Sequence, residues 1–240
     1  MRNKSKNFVL VFVTLTVALL SLGCAEVSVN PDANVTAPGI RVDHKFKAYE
    51  SFEYSADLSS QTTLSVDNIN GEVEIQSVTV LNQLLIFGEK IVSSDNYQDA
   101  YSHLVDIRVE VDELTGELIV KTIQPEFSEG RSYSVNYTIK VPDQMSVYVK
   151  NVNGKISGQV SVPTNGSIDM KLQNGNIDLG LPQSTSAEFS ASLLNGSISM
   201  QNLTLYNKVE TSKTLRGRLG EGQGVVKLSN TNGKISVVGF

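Results

Sequence analysis

The sequence predicts an all-β protein. The expected fold is a right-handed parallel β-helix, or solenoid-like fold, with some antiparallel strands in its N-terminal half and one short helix. A β-sandwich is the alternative. Three observations lead there: Asn-Gly-x-Ile recurs at a fixed spacing, apolar residues alternate over most of the chain, and a single stretch has helical periodicity.

The chain of 240 residues opens with Arg2, Lys4 and Lys6, followed by a 15-residue run, Phe8 to Leu22, interrupted only by Thr14, Thr16 and Ser21. That run is short for a membrane span, which needs about 20 residues, and fits the apolar core of a secretory signal. It ends in LLSLGC. A small residue directly before a cysteine, after an apolar run, resembles the lipobox of bacterial lipoproteins, although Ser21 stands where leucine is commonest. The resemblance implies cleavage after residue 23 and a lipid on Cys24. Ala25, rather than an aspartate, follows the cysteine, which in the enteric sorting rule implies delivery to the outer membrane. Cys24 is the only cysteine, so disulfides and cysteine-rich zinc sites are excluded. Residues 1–23 are thus read as a lipoprotein signal peptide. Residues 24–42, small, polar and punctuated by Pro31, Pro38 and Gly39, are read as a flexible tether. Residues 43–240 form a single domain, long enough to bury a substantial core.

Within that domain, Leu64, Val66 and Ile69, then Val73 and Ile75, alternate about Asn70-Gly71, a strand-turn-strand signal. The same pattern surrounds Thr115-Gly116, with Ile107, Val109 and Val111 before it and Leu118, Val120 and Ile123 after. Two more alternating runs meet at Pro142-Asp143. Between these strands, SSDNYQDAYSHLVDI places Tyr97, Ala100, Tyr101 and Leu104 at helical spacing with an N-cap candidate at Ser94. It predicts a helix over residues 95–104.

The repeat explains the second half. Gly154, Gly175 and Gly196 are 21 residues apart, and Ile156, Ile177 and Ile198 keep the same period. Asn165-Gly166 lies about half a period off, and Asn232-Gly233 follows an insertion, KVETSKTLRGRLGEGQG. A period of about 20 residues is a solenoid signature. A coil of parallel strands needs positive φ at its corners, which glycine tolerates freely and asparagine best among the others. Asn70, Asn153, Asn165, Asn174, Asn195 and Asn232, each with its glycine (Gly71, Gly154, Gly166, Gly175, Gly196, Gly233), are therefore the expected corner residues. Stacked corners would let the asparagines bond in a ladder and put each isoleucine inside. The rival reading makes each Asn-Gly an ordinary hairpin turn.

These residues carry a second resemblance. The strands from SYSVNYTIKVP onward, and above all the closing Gly217, Leu219, Gly220, Gly222, Val226, Leu228 and Asn232 to Ile235, are similar to the bacterial putative-adhesin domains of unknown function. FKAYESFEYSADLSSQTTLSVDNINGEVEI resembles the N-terminal portion of that family, so the similarity spans residues 43–240. It implies an all-β, solenoid-like fold and supplies no catalytic residues.

Chemistry is sparse. The two histidines, His44 and His103, have no metal-binding spacing, no serine lies in Gly-x-Ser-x-Gly, and GEGQG lacks the lysine of a phosphate-binding loop. No metal or cofactor is expected. Asp169 and Asp178 each follow a repeat isoleucine and are the one candidate acid pair for glycan chemistry, but the chain has no tryptophan for a sugar platform. Charge is uneven. Residues 24–150 hold 9 basic and 20 acidic side chains, net −11, while residues 151–240 hold 8 basic and 5 acidic, net +3. The acidic balance argues against nucleic acid. Lys213, Arg216 and Arg218 cluster in the insertion and form a candidate docking patch for an anionic polymer or acidic partner.

The expected function is a non-enzymatic, lipid-anchored cell-envelope scaffold for interaction or adhesion, held to the outer membrane or cell surface through the N-terminal lipid. Its partner would be an envelope protein or a polysaccharide. The alternatives are a polysaccharide-active β-helix enzyme and an accessory in envelope stress signalling. The chain ends in ISVVGF, which as the last rung would expose an edge open to self-association.

Overall fold

The computed structural model describes residues 46–79 and 82–240. Thirteen strands form one sheet: β1 (Phe46–Asp57), β2 (Thr63–Asp67), β3 (Asn70–Val78), β4 (Gln83–Ser94), β5 (Arg108–Glu113), β6 (Glu117–Ile123), β7 (Ser132–Pro142), β8 (Ser146–Gln159), β9 (Ser167–Leu181), β10 (Ala187–Gln201), β11 (Tyr206–Glu210), β12 (Thr214–Leu219) and β13 (Gly224–Gly239). The one α-helix is α1 (Tyr97–Ser102), followed by a 3₁₀ turn over Leu104–Asp106.

The sheet is bent along a line of Asn-Gly dipeptides, and the bend makes it solenoid-like. Strands β8, β9, β13 and β10 each run through the bend, so each contributes to two walls. The first wall has the order β5-β6-β2-β8-β9-β13-β10-β12-β11, and the second β1-β4-β7-β3-β8-β9-β13-β10. The rungs through the bend pair in parallel. Antiparallel strands close both ends: β1, β4, β5, β6 and β7 at the N-terminal end, and also β11 and β12 at the C-terminal end, where the sequence suggested none. Inward residues of both walls form a single buried cluster, which is what alternating apolar positions must do when one face of each wall is covered.

Five glycines set the bend. Gly71, Gly154, Gly175, Gly233 and Gly196 have φ from +116° to +135°. Each is pressed against the carbonyl of the rung before it. A Cβ on Gly154 would lie 2.0 Å from the Gly71 oxygen, on Gly175 1.6 Å from the Gly154 oxygen, on Gly233 1.8 Å from the Gly175 oxygen, and on Gly196 1.6 Å from the Gly233 oxygen. Glycine is therefore required twice over, by conformation and by space.

The order of that column departs from chain order. β13 slots between β9 and β10, so the C-terminal ISVVGF is an interior rung and β10 is the last one. The β11–β12 hairpin, built from the insertion, pairs only with the half of β10 that precedes the bend. The dipeptide Asn70-Gly71 is likewise a bend and not a hairpin: β2 and β3 do not pair with each other but both pair in parallel with β8. Asn165-Gly166 is a turn between β8 and β9, away from the bend, with Asn165 at φ 60° and the Gly166 N–H donating to the Pro163 carbonyl.

Three local expectations also shift. The buried period before Gly71 runs Leu64, Val66, Asn68, leaving Ile69 half-buried, and Thr122 rather than Ile123 faces the core on β6. Helix α1 is capped by Asn96, whose Oδ1 accepts from the N–H groups of Gln98 (2.8 Å) and Asp99 (3.4 Å). Ser94 instead ends β4 and donates its hydroxyl to Asp99 (2.6 Å). Arg131 fixes the helix to the start of β7 through two 2.8 Å bonds to Asp99. At the same end, Tyr54 on β1 donates to Glu113 on β5, tying the outer edge of one wall to that of the other.

Gly175→Ala should lower the stability to urea by about 3 kcal/mol or more, the sum of a left-handed alanine and a backbone clash. Gly116→Ala, at φ +85° with nothing within 4 Å of its would-be Cβ, should cost about 1–2 kcal/mol. Equal midpoints for the two variants in equilibrium denaturation would refute the packed glycine column.

Candidate interaction surface

The bend carries a chain of side-chain amides. Asn195 Nδ2 donates to Asn232 Oδ1 (2.8 Å), Asn232 to Asn174 (2.7 Å), Asn174 to Asn153 (2.8 Å) and Asn153 to Asn70 (2.7 Å). Asn70 ends the chain on the Tyr133 carbonyl (3.0 Å). All five bonds run in one direction, so their dipoles add and each bond polarises the next. Asn165 takes no part.

A second, buried asparagine lies two residues earlier in three rungs, and alignment of the repeats on Asn-Gly would have revealed it. Asn151 donates to the Gly71 carbonyl (2.8 Å) and Asn230 to the Gly175 carbonyl (2.8 Å). Asn68 donates to the Val135 carbonyl (3.1 Å) and accepts from Thr122 (2.8 Å), which also bonds the Tyr137 hydroxyl (2.6 Å). Burial pushes that hydroxyl up to about 12, so it stays protonated. Leu172 and Leu193 fill the same position in the other two rungs. Two of the three buried amides thus hold glycine carbonyls of the column, and Asn68 holds the Val135 carbonyl against which Gly71 is pressed.

Outward residues of the first wall form a flat face. One row reads Ser65, Tyr148, Asp169, Lys227, Ser190, Arg216. The row nearer the bend reads Asp67, Lys150, Lys171, Ser229, Ser192, Thr214. With strands ~4.8 Å apart, the six-strand face is about 24 Å long. Lys150 pairs with Asp67 (3.5 Å) and Lys171 with Asp169 (3.4 Å). Among the described residues, Lys227 and Arg216 are exposed and have no ion-pair partner. A shallow cleft of about 190 Å³ opens in this face, lined by Ser65, Asp67, Tyr148, Lys150, Asp169 and Lys171. There Tyr148 presents an exposed ring whose hydroxyl bonds Ser167 (2.6 Å).

Of the sequence-derived patch, Arg216 stands in this face. Arg218 lies in the next row, opposite Glu188, and Lys213 sits at the β11–β12 turn. The structure adds Lys150, Lys171 and Lys227, which sequence reading missed because they lie on strands far apart in the chain. Asp169 and Asp178 are not brought together. Asp169 is on the first wall beside Lys171, while Asp178 is beyond the bend, paired with Lys155 (3.1 Å), so they cannot flank one glycosidic bond. Among the described residues no group of three or more acidic, histidine or cysteine side chains could hold a metal, and no helix is long and apolar enough to cross a membrane. Cys24 and the tether lie outside the described residues.

Asn174→Ala removes two ladder bonds and should cost about 1–2 kcal/mol, whereas Asn195→Ala removes one at the end and should cost about 1 kcal/mol or less. Urea titrations that rank them the other way would show that the amides do not act as a chain.

The family model described as Toastrack DUF4097 matches residues 32–238. The chain is similar to a crystal structure of a putative cell adhesion protein from Clostridium sporogenes, with 12% identity, coverage of 78% of this chain and 99% of that one, and a TM-score of 0.46. It is also similar to a putative adhesin from Parabacteroides merdae, with 11% identity, 63% and 58% coverage and a TM-score of 0.24. No curated protein matches it.

Proposed function

The chain belongs to the Toastrack DUF4097 family, and on that premise we propose that it is a non-enzymatic cell-envelope scaffold, anchored through a lipid on Cys24, that holds an anionic polysaccharide on the outer face of its first wall. The observation that carries the reading is the set of cations in two neighbouring rows of one face, Lys150 and Lys171 in one and Lys227 and Arg216 in the other, of which the last two have no counter-charge among the described residues. Three consecutive strands, β8, β9 and β13, each offer a cation at a spacing close to the length of a sugar unit, and Arg216 follows two strands further on. A linear polymer laid across the strands can therefore meet a cation at several successive units. The small side chains of Ser190, Ser192 and Ser229 keep the face flat, and Tyr148 offers a ring on which a sugar can stack. The net acidic remainder of the chain directs a polyanion to this one face.

A Lys171→Glu/Lys227→Glu double variant should lose most binding to a soluble polyuronate such as alginate, measured by fluorescence anisotropy. Wild-type affinity should fall as salt is raised, because exposed charges are screened within about 10 Å at 0.1 M. Binding that survives the double variant, or equal binding to neutral dextran, would overturn the assignment of this face. The anchor is tested separately. Cys24→Ser should move the protein from the membrane to the soluble fraction, and a variant that still fractionates with membranes would refute lipidation.

A further inference from the structure

Four strand edges are open among the described residues: β1, β5, β11, and the part of β10 beyond the bend, which pairs only with β13. Unpaired edges invite other strands, and proteins usually protect them with charges or bulges. Three of these edges follow that rule. β1 carries Lys47, Glu50, Glu53 and Asp57, β5 carries Arg108, Glu110, Asp112 and Glu113, and β11 carries Lys208 and Glu210 and a register shift between Tyr206 and Val209. The fourth does not. Residues 189–207 contain no charged side chain, and no proline interrupts Asn195 to Gln201.

This edge also ends each pattern of the bend unfinished. Among the described residues nothing donates to Asn195 Oδ1, the last acceptor of the amide chain. Continuing the glycine column, the Gly196 carbonyl faces off the last rung, where the next occupant without a Cβ would fit. Ile198 is only half-buried, although Ile156, Ile177 and Ile235 at the same position are fully buried. Met200 is half-buried where its neighbour Val237 is fully buried. The exposed remainder is the surface that one more rung would cover.

We propose that the edge of β10 beyond the bend is a docking site for a parallel β-strand from another polypeptide, one that carries Asn-Gly followed by apolar residues at alternate positions. Main-chain bonds to the open edge supply affinity, as in other cases of strand addition. The open amide acceptor, the glycine carbonyl and the uncovered Ile198 and Met200 set the register. An Asn-Gly strand supplies the missing Nδ2 donor, tolerates the positive φ and places its apolar residues inward. The strand β13 already meets these requirements on the other side of β10, with Asn232, Gly233, Ile235 and Val237 opposite Asn195, Gly196, Ile198 and Met200.

The test uses a labelled synthetic peptide, SNTNGKISVVGF, copied from residues 229–240, titrated with the full chain and read by fluorescence anisotropy. Saturable binding is expected, weakened about tenfold or more when Gly233→Ala is made in the peptide, since left-handed alanine costs about 1–2 kcal/mol. Met200→Lys in the protein, an inward charge on the edge, should abolish binding while leaving the circular dichroism spectrum unchanged. Absence of binding would overturn the proposal, and so would equal binding of both peptides, which would mean an edge that takes any strand. Binding that survives Met200→Lys would place the peptide elsewhere, as by displacement of β13, and overturn it too. A wild-type dimer in sedimentation that Met200→Lys dissociates would give the edge to a second copy instead. If Met200→Lys fails to fold, the two peptides alone decide.

Discussion

The contact between a glycine Cα and the carbonyl of the preceding rung governs this molecule. Five times the chain passes from one wall to the other at φ near +120°, and five times the space that a Cβ would need is already filled by a backbone oxygen. No other residue satisfies both demands. The rung spacing at the bend, the angle between the walls and the alignment of every inward position depend on that column. The buried amides of Asn68, Asn151 and Asn230 brace it by donating to the carbonyls of Val135, Gly71 and Gly175.

Once the bend is set, the walls follow from alternation. Inward positions on both walls hold aliphatic side chains that merge into one core. Outward positions of the first wall are freer to vary, since they face away from the core. The cations arise there, in two rows that each keep a fixed offset from the bend. Lys150, Lys171, Ser229 and Ser192 all lie three residues before a ladder asparagine. A chemical surface is thus written once per rung, at a position that the core does not constrain. The same repetition leaves the last rung incomplete, because a stack with no closing contact must end on an open edge.

Much of this was legible in the chain. The period of 21 residues, the inward isoleucines and the corner role of Asn-Gly depend on sterics within two or three residues, and such properties survive in any fold that the segment adopts. The helix was legible for the same reason, although Asn96 outcompeted Ser94 for the cap because β4 continues through Ser94. The errors came from neighbours distant in sequence. Ile69 and Ile123 fit an inward position by being apolar, whereas Asn68 and Thr122 hold the inner positions because they bond each other beside the paired strands β2 and β6.

By itself the sequence determined that strands would alternate and turn at Asn-Gly, since positive φ and alternation are local. It could not determine the order of the rungs. Each rung repeats nearly the same Asn-Gly-x-Ile pattern, so any two can pair with almost equal local energy, and only the full packing inserts β13 between β9 and β10. That insertion brings Lys227 between Asp169 and Ser190, two strands from Arg216, and makes β10 the terminal rung among the described strands. The cationic face and the open edge are both products of it. They belong to the tertiary structure because they are made by strand pairing over dozens of residues, which no segment encodes alone.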